Sequence, residues 1–438
     1  MLKQKIEMFD QLEDSRNCDS LVKGHDLETY SIDPKTSEIY RKIKLSSGAV
    51  RTSKVEKTDG ISSTDISAEF DRSWLTSKSW PMVNNSRGKI RGVDLFSGCG
   101  AMSLGVWEAC RALQLDFECS FAVDNNASAL EVFSRNFSPK HCASDPIQDL
   151  FSGELGQELT SNELELKANV GPVDIMVAGP PCQGHSDLNN FTRRSDGRNG
   201  LIRFVARAAE VLRPKFLIIE NVQGITHDKN RNLDAVKSFL NELSYFVDFG
   251  LVPAERLGVP QSRRRFILIA STEIKPNFIQ VQRLHRQHAQ TFEWACSDLI
   301  GLSELTVFDS SAVHADVNQQ RMNFLFDNDL YDLPNFMRPD CHRLKKHGYS
   351  SVYGRMKWDE PAQTITTGFG STGQGRFVHP KEARTITPHE ACRLQFIPDF
   401  FSFGDLGRTM LQKMIGNAVP PKLSYAVALT MLAQREVG

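Results

Sequence analysis

The sequence predicts an α/β protein, with a parallel, doubly wound sheet over residues 89–270 and a second, smaller domain after it. From Lys89, short apolar runs alternate with amphipathic, helix-like segments: IRGVDLF then SLGVWEACRAL, FECSFAVD then ASALEVFSRNF, VDIMVAG then IRFVARAAEVL. The apolar runs, which continue at FLIIENV, YFVDFGLV and RRFILIA, are unbroken rather than alternating, as in strands buried on both faces. After Ala270 the rhythm stops, and the chain up to about residue 410 is irregular, holding seven of the eleven histidines and the stretch GFGSTGQG at 368–375.

Residues 1–88 are polar, rich in Ser, Thr, Lys and Asp, with a helix-like start at Lys3–Leu12 and a Tyr/Ile-containing stretch near 28–44. They read as a partly ordered extension or linker, with a folded accessory element as the alternative. At the other end, KMIGNAVPPKLSYAVALTMLAQ has a Pro-Pro pair followed by an apolar run of helical period, which predicts a core-facing helix over 411–438 that returns to the first domain.

With 438 residues and 40% hydrophobic content, two or three units can each bury a core. Nine cysteines, an odd number without a CxxC pair, suggest reduced thiols rather than a disulfide framework or a zinc site. No apolar stretch approaches the roughly 18–20 residues that span a bilayer, and MLKQKIEMFDQLED is too polar for a signal peptide, so a cytoplasmic, soluble protein is expected. The net charge of −1 advertises no polyanion binder. Locally, however, six basic residues between Arg338 and Lys357, among them Arg343, Lys345 and Arg355, face one acid, Asp340, with Tyr349 and Tyr353 interleaved. That segment is the first candidate for phosphate contact.

Four places carry chemistry. In DLFSGCGAMSLG (94–105) an apolar strand runs into Gly98 and Gly100, which let the backbone turn tightly against a ligand, and the next strand ends in Asp124, where such folds place an acid on ribose hydroxyls. A nicotinamide enzyme or an ordinary strand–helix turn would read alike. In AGPPCQGHS (178–186) two prolines stiffen a loop that holds Cys182 at a strand end, as covalent catalysis requires; a buried structural cysteine, or a CxxH metal ligand with His185, are the bland readings. In FLIIENV, Glu220 sits at the carboxyl edge of the sheet, where it can serve as an acid or merely be a solvated strand end. In QSRRRFILIA, Arg263 and Arg265 are two apart and share one side, either toward a ligand or toward solvent.

The ordered set DLFSGCG, Asp124, PPCQ, ENV, QSRRR, RTITPHEACRLQ and IGNAVPP resembles the DNA (cytosine-5)-methyltransferase family over roughly residues 90–432. The resemblance implies a Rossmann-like S-adenosylmethionine-dependent methyltransferase sheet with a target-recognition domain at 271–410. It implies a cofactor pocket of Phe96, Gly98, Gly100, Asp124, Asp145 and Asn417, with Cys182 as the nucleophile on cytosine C6. Glu220 would contact N3 and the exocyclic amine, and Arg263 and Arg265 would hold the base and catalytic loop. A target base must leave the duplex stack, and the polar loop 184–200, with Arg193, Arg194 and Arg198, is suited to seal behind it. Arg343, Lys345 and Arg355 would meet DNA from the recognition segment. No metal is implied. Double-stranded DNA is the implied partner, with a restriction endonuclease or other phage-defence protein as a functional one, and a monomer is expected.

The chain departs from the family pattern at Ala101, where a further glycine is usual, and at His185–Ser186, where an aromatic or Phe-Ser pair is commoner; neither is a reacting group. A tRNA-methylating relative would carry a Cys-Phe-Thr signature that is not found, and a silent DNA-binding regulator would have lost Cys182, Glu220 or Arg263.

Overall fold

The structure is a computed structural model that describes residues 27–58, 65–83, 85–181, 200–227, 231–302, 306–343 and 351–435. Cys182, Arg193, Arg194, Arg198 and Lys345 lie outside the described residues.

Residues 28–76 hold a folded element, the alternative to an extension or linker, while the helix-like start at Lys3–Leu12 lies outside the described residues. Strands β1 (Glu28–Ile32), β2 (Glu38–Lys44) and β3 (Val50–Glu56) form an antiparallel meander, followed by helix α1 (Ile66–Thr76), whose N-cap Asp65 accepts from Ser67 N–H. The sequence hid this sheet because its inward face carries Arg41 and Ser53 beside Ile39, Ile43 and Val55, which blurs the apolar–polar alternation.

The central sheet comprises β4 (Lys89–Leu95), β5 (Asp116–Val123), β6 (His141–Ala143), β7 (Ile175–Ala178), β8 (Phe216–Val222), β9 (Phe246–Pro253) and β11 (Arg264–Ser271). Among the described residues it has seven strands in the order β6-β5-β4-β7-β8-β11-β9. Alternate residues feed two cores: Ile218 and Ile269 pack on one face, Leu217, Ile219 and Leu268 on the other. Each such side chain stabilises the fold by about 1.5–3 kcal/mol. Helices α2 (Ala101–Ala112) and α3 (Ala127–Phe137) follow β4 and β5, while α4 (Ser161–Val170), α5 (Ile202–Leu212) and α6 (Asn232–Glu242) precede β7, β8 and β9.

The sheet is not wholly parallel as expected, since β11 runs antiparallel to both β8 and β9. Residues 254–263, with a short 3-10 turn (Ala254–Leu257) and a two-residue strand (Gln261–Ser262), are too few for a crossover of a dozen or more residues, so the chain must turn back. Unbroken apolarity reports burial, not direction.

The chain starts at β4, builds β5 and β6 on one side, then crosses to β7 and β8 on the other, so the switch point lies between β4 and β7. Register aligns Leu95 with Val123 and with Ala178, and Ala178 with Ile219, so the loops that follow open on one edge. Antiparallel β11 begins at that edge, with Arg265 opposite Val222.

After the sheet, β10 (Gln261–Ser262) and β12 (Ala362–Gln363) pair in parallel and tie the later segment to the residues just before β11. Helix α7 (Asp316–Asp327) builds a satellite core with Leu333, Val352, Tyr353 and Val378. Helices α8 (Pro388–Leu394), α9 (Arg408–Asn417) and α10 (Pro421–Arg435) follow, and α10 packs along α2, so the C-terminal helix returns to the first domain. Within RTITPHEACRLQ, Arg393 and His389 both bond Asp399, with Arg393 Nη2 to Oδ2 at 2.7 Å and His389 Nε2 to Oδ1 at 2.9 Å. Among the described residues no helix is long and apolar enough to cross a membrane.

Candidate active site

The loops at the carboxyl edge enclose a cavity of about 1130 Å³, whose walls include Asp94, Phe96, Asp124, Asp145, Glu220, Arg263, Arg265 and Asn417. Gly98 also lines it, while Gly100 sits behind, a residue away.

The loop after β4 turns through three residues with positive φ: Phe96 at 58°, Gly98 at 52° and Gly100 at 96°. A Cβ at Gly100 would stand 2.6 Å from Phe137 and 2.9 Å from Phe133, so glycine is demanded there by packing as well as conformation. A Cβ at Gly98 would meet nothing within 4 Å, leaving open space beside the backbone. Gly98 N–H donates to Asp124 Oδ2 (2.8 Å) and Asn126 N–H to Oδ1 (2.9 Å), which fixes the carboxylate at the end of β5. Behind it, Asp94 accepts from Ser103 Oγ at 2.6 Å, and burial pushes its carboxyl up to about 7 against that bond. Ser97 Oγ is buried in the cavity wall without a hydrogen-bond partner among the described residues. A carboxylate fixed at a strand end, an open glycine cradle, an orphaned hydroxyl, and Asp145 and Asn417 on the walls suit a polar nucleoside with an amino-acid tail.

Across the cavity, Glu220 at the end of β8 is 8% exposed, and its Oε1 accepts from Arg265 Nε at 2.8 Å. Burial raises the Glu220 carboxyl above its ordinary value, outweighing the lowering by Arg265 and Arg263. Arg263, 3% exposed, donates from Nη1 to the Ile365 carbonyl (2.9 Å), and its buried Nε has no hydrogen-bond partner among the described residues. Burial lowers both guanidiniums, Arg263 the more. Asn221 Nδ2 donates to the Pro180 carbonyl at 3.4 Å, and a Cβ at Gly179 would lie 3.8 Å from Glu220 Oε2. The prolines that precede Cys182 therefore leave the sheet beside Glu220. By contrast, the Cys99 thiol of the glycine loop is buried and pushed up to about 12, which disqualifies it as a nucleophile.

Sequence reading missed part of the wall. Ser97, Thr364–Thr367 and Gln374–Phe377 line the cavity. A Cβ at Gly416 would stand 2.3 Å from Thr367 N, so IGNAVPP is pressed against the Thr366–Thr367 backbone. The polar run TITT beside the glycines was the available signal. The glycines of 368–375 make room for the chain's own side chains: a Cβ at Gly368 would strike Gln374 and one at Gly370 would strike Gln412. Arg355 is not a free phosphate hook, since it donates to the Pro380 carbonyl (2.9 Å) and lies 4.1 Å over the Phe326 ring. Arg343 is exposed and paired with Asp340 at 2.5 Å.

A Rossmann-like sheet with a switch-point cavity, a glycine-bearing first loop and a carboxylate closing the second strand is the architecture that S-adenosylmethionine-dependent methyltransferases share with other nucleotide-binding α/β enzymes. The chain belongs to the C-5 cytosine-specific DNA methylases, whose family model matches residues 90–433. It is 46% identical over 423 residues to Type II methyltransferase M1.BsuMI of Bacillus subtilis (strain 168), covering 96% of this chain and 99% of that one. It is 27% identical to Type II methylase M.HgiDII of Herpetosiphon aurantiacus, over 77% of this chain and 93% of that one. In fold it is similar to the S. pombe Dnmt2 methyltransferase, with TM-score 0.53 and 17% identity over 80% of this chain and 99% of that one. The protein is thus a DNA (cytosine-5)-methyltransferase that uses S-adenosylmethionine.

Proposed function

We propose that the protein extrudes a cytosine from duplex DNA and methylates C5 through a covalent adduct between Cys182 and C6, as the modification activity of a type II restriction–modification system. The observation that carries this reading is Glu220: a buried carboxyl, raised by burial and held by Arg265, faces the same cavity as the glycine loop. The type II names of the relatives support a restriction–modification setting; in this reading a restriction endonuclease is the functional partner and the enzyme acts as a monomer.

C5 of cytosine is a poor nucleophile until a sulfur adds at C6. Cys182 forms the S–C6 bond as the C5–C6 π pair moves toward C5, and a proton held by Glu220 at N3 offsets the charge that develops. S-adenosylmethionine, when bound, supplies an electrophilic methyl group. Ser97, Gly98, Asp124, Asp145 and Asn417 are the residues that would hold it. Once C5 carries the methyl, loss of its proton returns an electron pair to C5–C6 and expels the Cys182 sulfur. Arg263 and Arg265 keep Glu220 aligned and shield the base from water. The segment 184–200, with Arg193, Arg194 and Arg198, closes over the extruded base, while Arg343 and Lys345 meet the DNA backbone.

Wild type and Cys182→Ser are incubated with methyl-tritiated cofactor and mixed-sequence duplex DNA, with tRNA in parallel, and the labelled nucleoside is identified. Label in 5-methylcytosine of DNA with wild type alone is the expected result; equal label with Cys182→Ser, or label confined to tRNA, overturns the reading.

A further inference from the structure

Residues 28–76 lie before the region matched by the family model, yet they share with α10 and α2 a set of buried charges that the reaction does not use. Lys422, in the first turn of α10, donates to both oxygens of Asp71 in α1, each at 2.6 Å, and both side chains are 6% exposed. Next to it, the Tyr425 hydroxyl donates to Glu28 (2.9 Å) and accepts from Arg41 Nη1 (2.9 Å), while Arg41 Nη2 pairs with Glu108 of α2 at 2.7 Å. Burying such pairs is a poor route to stability, because desolvation cancels much of the attraction. What ions give and apolar contact does not is direction.

That direction bears on the cavity. Asn417, Ala418 and Val419 line it, and Pro420 and Pro421 join them stiffly to Lys422. On its other side the first turn of α10 is pressed onto α2: a Cβ at Gly105 would lie 2.0 Å from the Pro421 carbonyl, and Ser424 Oγ donates to the carbonyl of Met102, itself a cavity residue. We infer that Asp71, acting through Lys422, is a positioning residue for the Asn417–Val419 turn, so that the N-terminal unit is part of the cofactor site. The relative matched over 99% of its length includes this unit, whereas the family model starts at residue 90.

The inference rests on the reading of the cavity as the cofactor pocket, which Asn417→Ala tests separately by weakening cofactor binding. The experiment uses the full chain with Asp71→Asn, Asp71→Glu and the double variant Asp71→Leu/Lys422→Met, which removes the buried pair without stranding either ion. Cofactor Kd is measured by calorimetry, DNA Kd by filter binding, and kcat at saturating cofactor is normalised to active sites. Expected are a five- to tenfold rise in cofactor Kd and KM for Asp71→Asn and the double variant, with kcat and DNA Kd within twofold, and partial recovery in Asp71→Glu. A cofactor Kd within twofold of wild type in the double variant, or a fall of kcat and both affinities in parallel, overturns it. No effect of Asn417→Ala would instead withdraw the pocket assignment.

Discussion

Replacing Gly416 with alanine sets two effects of opposite sign against each other. Gly416 lies in helix α9, and in an exposed helix the change stabilises by about 1 kcal/mol. Here the new Cβ would stand 2.3 Å from Thr367 N and 2.4 Å from Thr366 C, where ordinary contact begins at 3.4 Å. Both are backbone atoms, so no rotamer relieves the clash, and one segment must move by about 1 Å. Overpacking of that kind costs about 1–3 kcal/mol and here also moves the cavity wall. The net expectation is a loss of up to about 2 kcal/mol in urea unfolding. Because Thr366, Thr367 and Asn417 all line the cavity, kcat/KM should fall about 10–100-fold, as a displacement near 1 Å commonly costs. A variant that is stabilised by about 1 kcal/mol with unchanged kinetics would refute the close approach and the coupling drawn from it.

Glu220→Gln should lower kcat about 10²–10⁴-fold while leaving cofactor Kd unchanged in calorimetry. Because the folded-state value of Glu220 is raised, its contribution to stability is present below the unfolded value and is lost as pH rises through the folded one; urea midpoints of Glu220→Gln should therefore decline less than wild type on raising pH from about 4.5. Asp124→Ala strands the Gly98 and Asn126 amides and removes the acid proposed to bind the ribose, and should weaken cofactor binding about 10–100-fold with DNA affinity unaltered in a filter assay. Asp399→Asn removes one of the two carboxylates that meet buried Arg393, leaving Asp298 at 3.2 Å, and should destabilise in chemical unfolding at pH 7 by less than the roughly 3–5 kcal/mol of a fully stranded charge. Since Arg393 and His389 hold Asp399 well below the usual range, wild type should lose this contribution only as pH falls below about 4, and the difference between the two proteins should shrink there.

Most of the sheet was legible because strand burial writes itself as apolar runs, and strand-end residues fall between those runs. Asp124 and Glu220 stood out as carboxylates closing apolar strands, and both do line the cavity. The reversal of β11 was not legible, because IIe-rich continuity is the same in either direction; the short link before it was the clue. The N-terminal meander escaped because Arg41 and Ser53 occupy inward positions that pattern reading reserves for apolar residues. Arg355 shows the reverse limit: composition counts a cation, but only the fold shows its guanidinium spent on Pro380 and Phe326. Thr364–Thr367 join the cavity through β12 and the contact with Gly416, long-range pairings that no local window contains.

The double attachment of residues 362–367 sets a rule for transplanting the proposed DNA-recognition segment between relatives. Ala362–Gln363 pair with Gln261–Ser262 on one side and Thr366–Thr367 abut Gly416 on the other, so these residues belong mechanically to the host enzyme although they sit inside the segment proposed to read DNA. A graft whose downstream seam precedes Ala362 keeps both joints native. One that carries foreign residues through to Thr367 exchanges the seat of Arg263 together with the reading head, and the chimera inherits a new specificity on a misaligned engine.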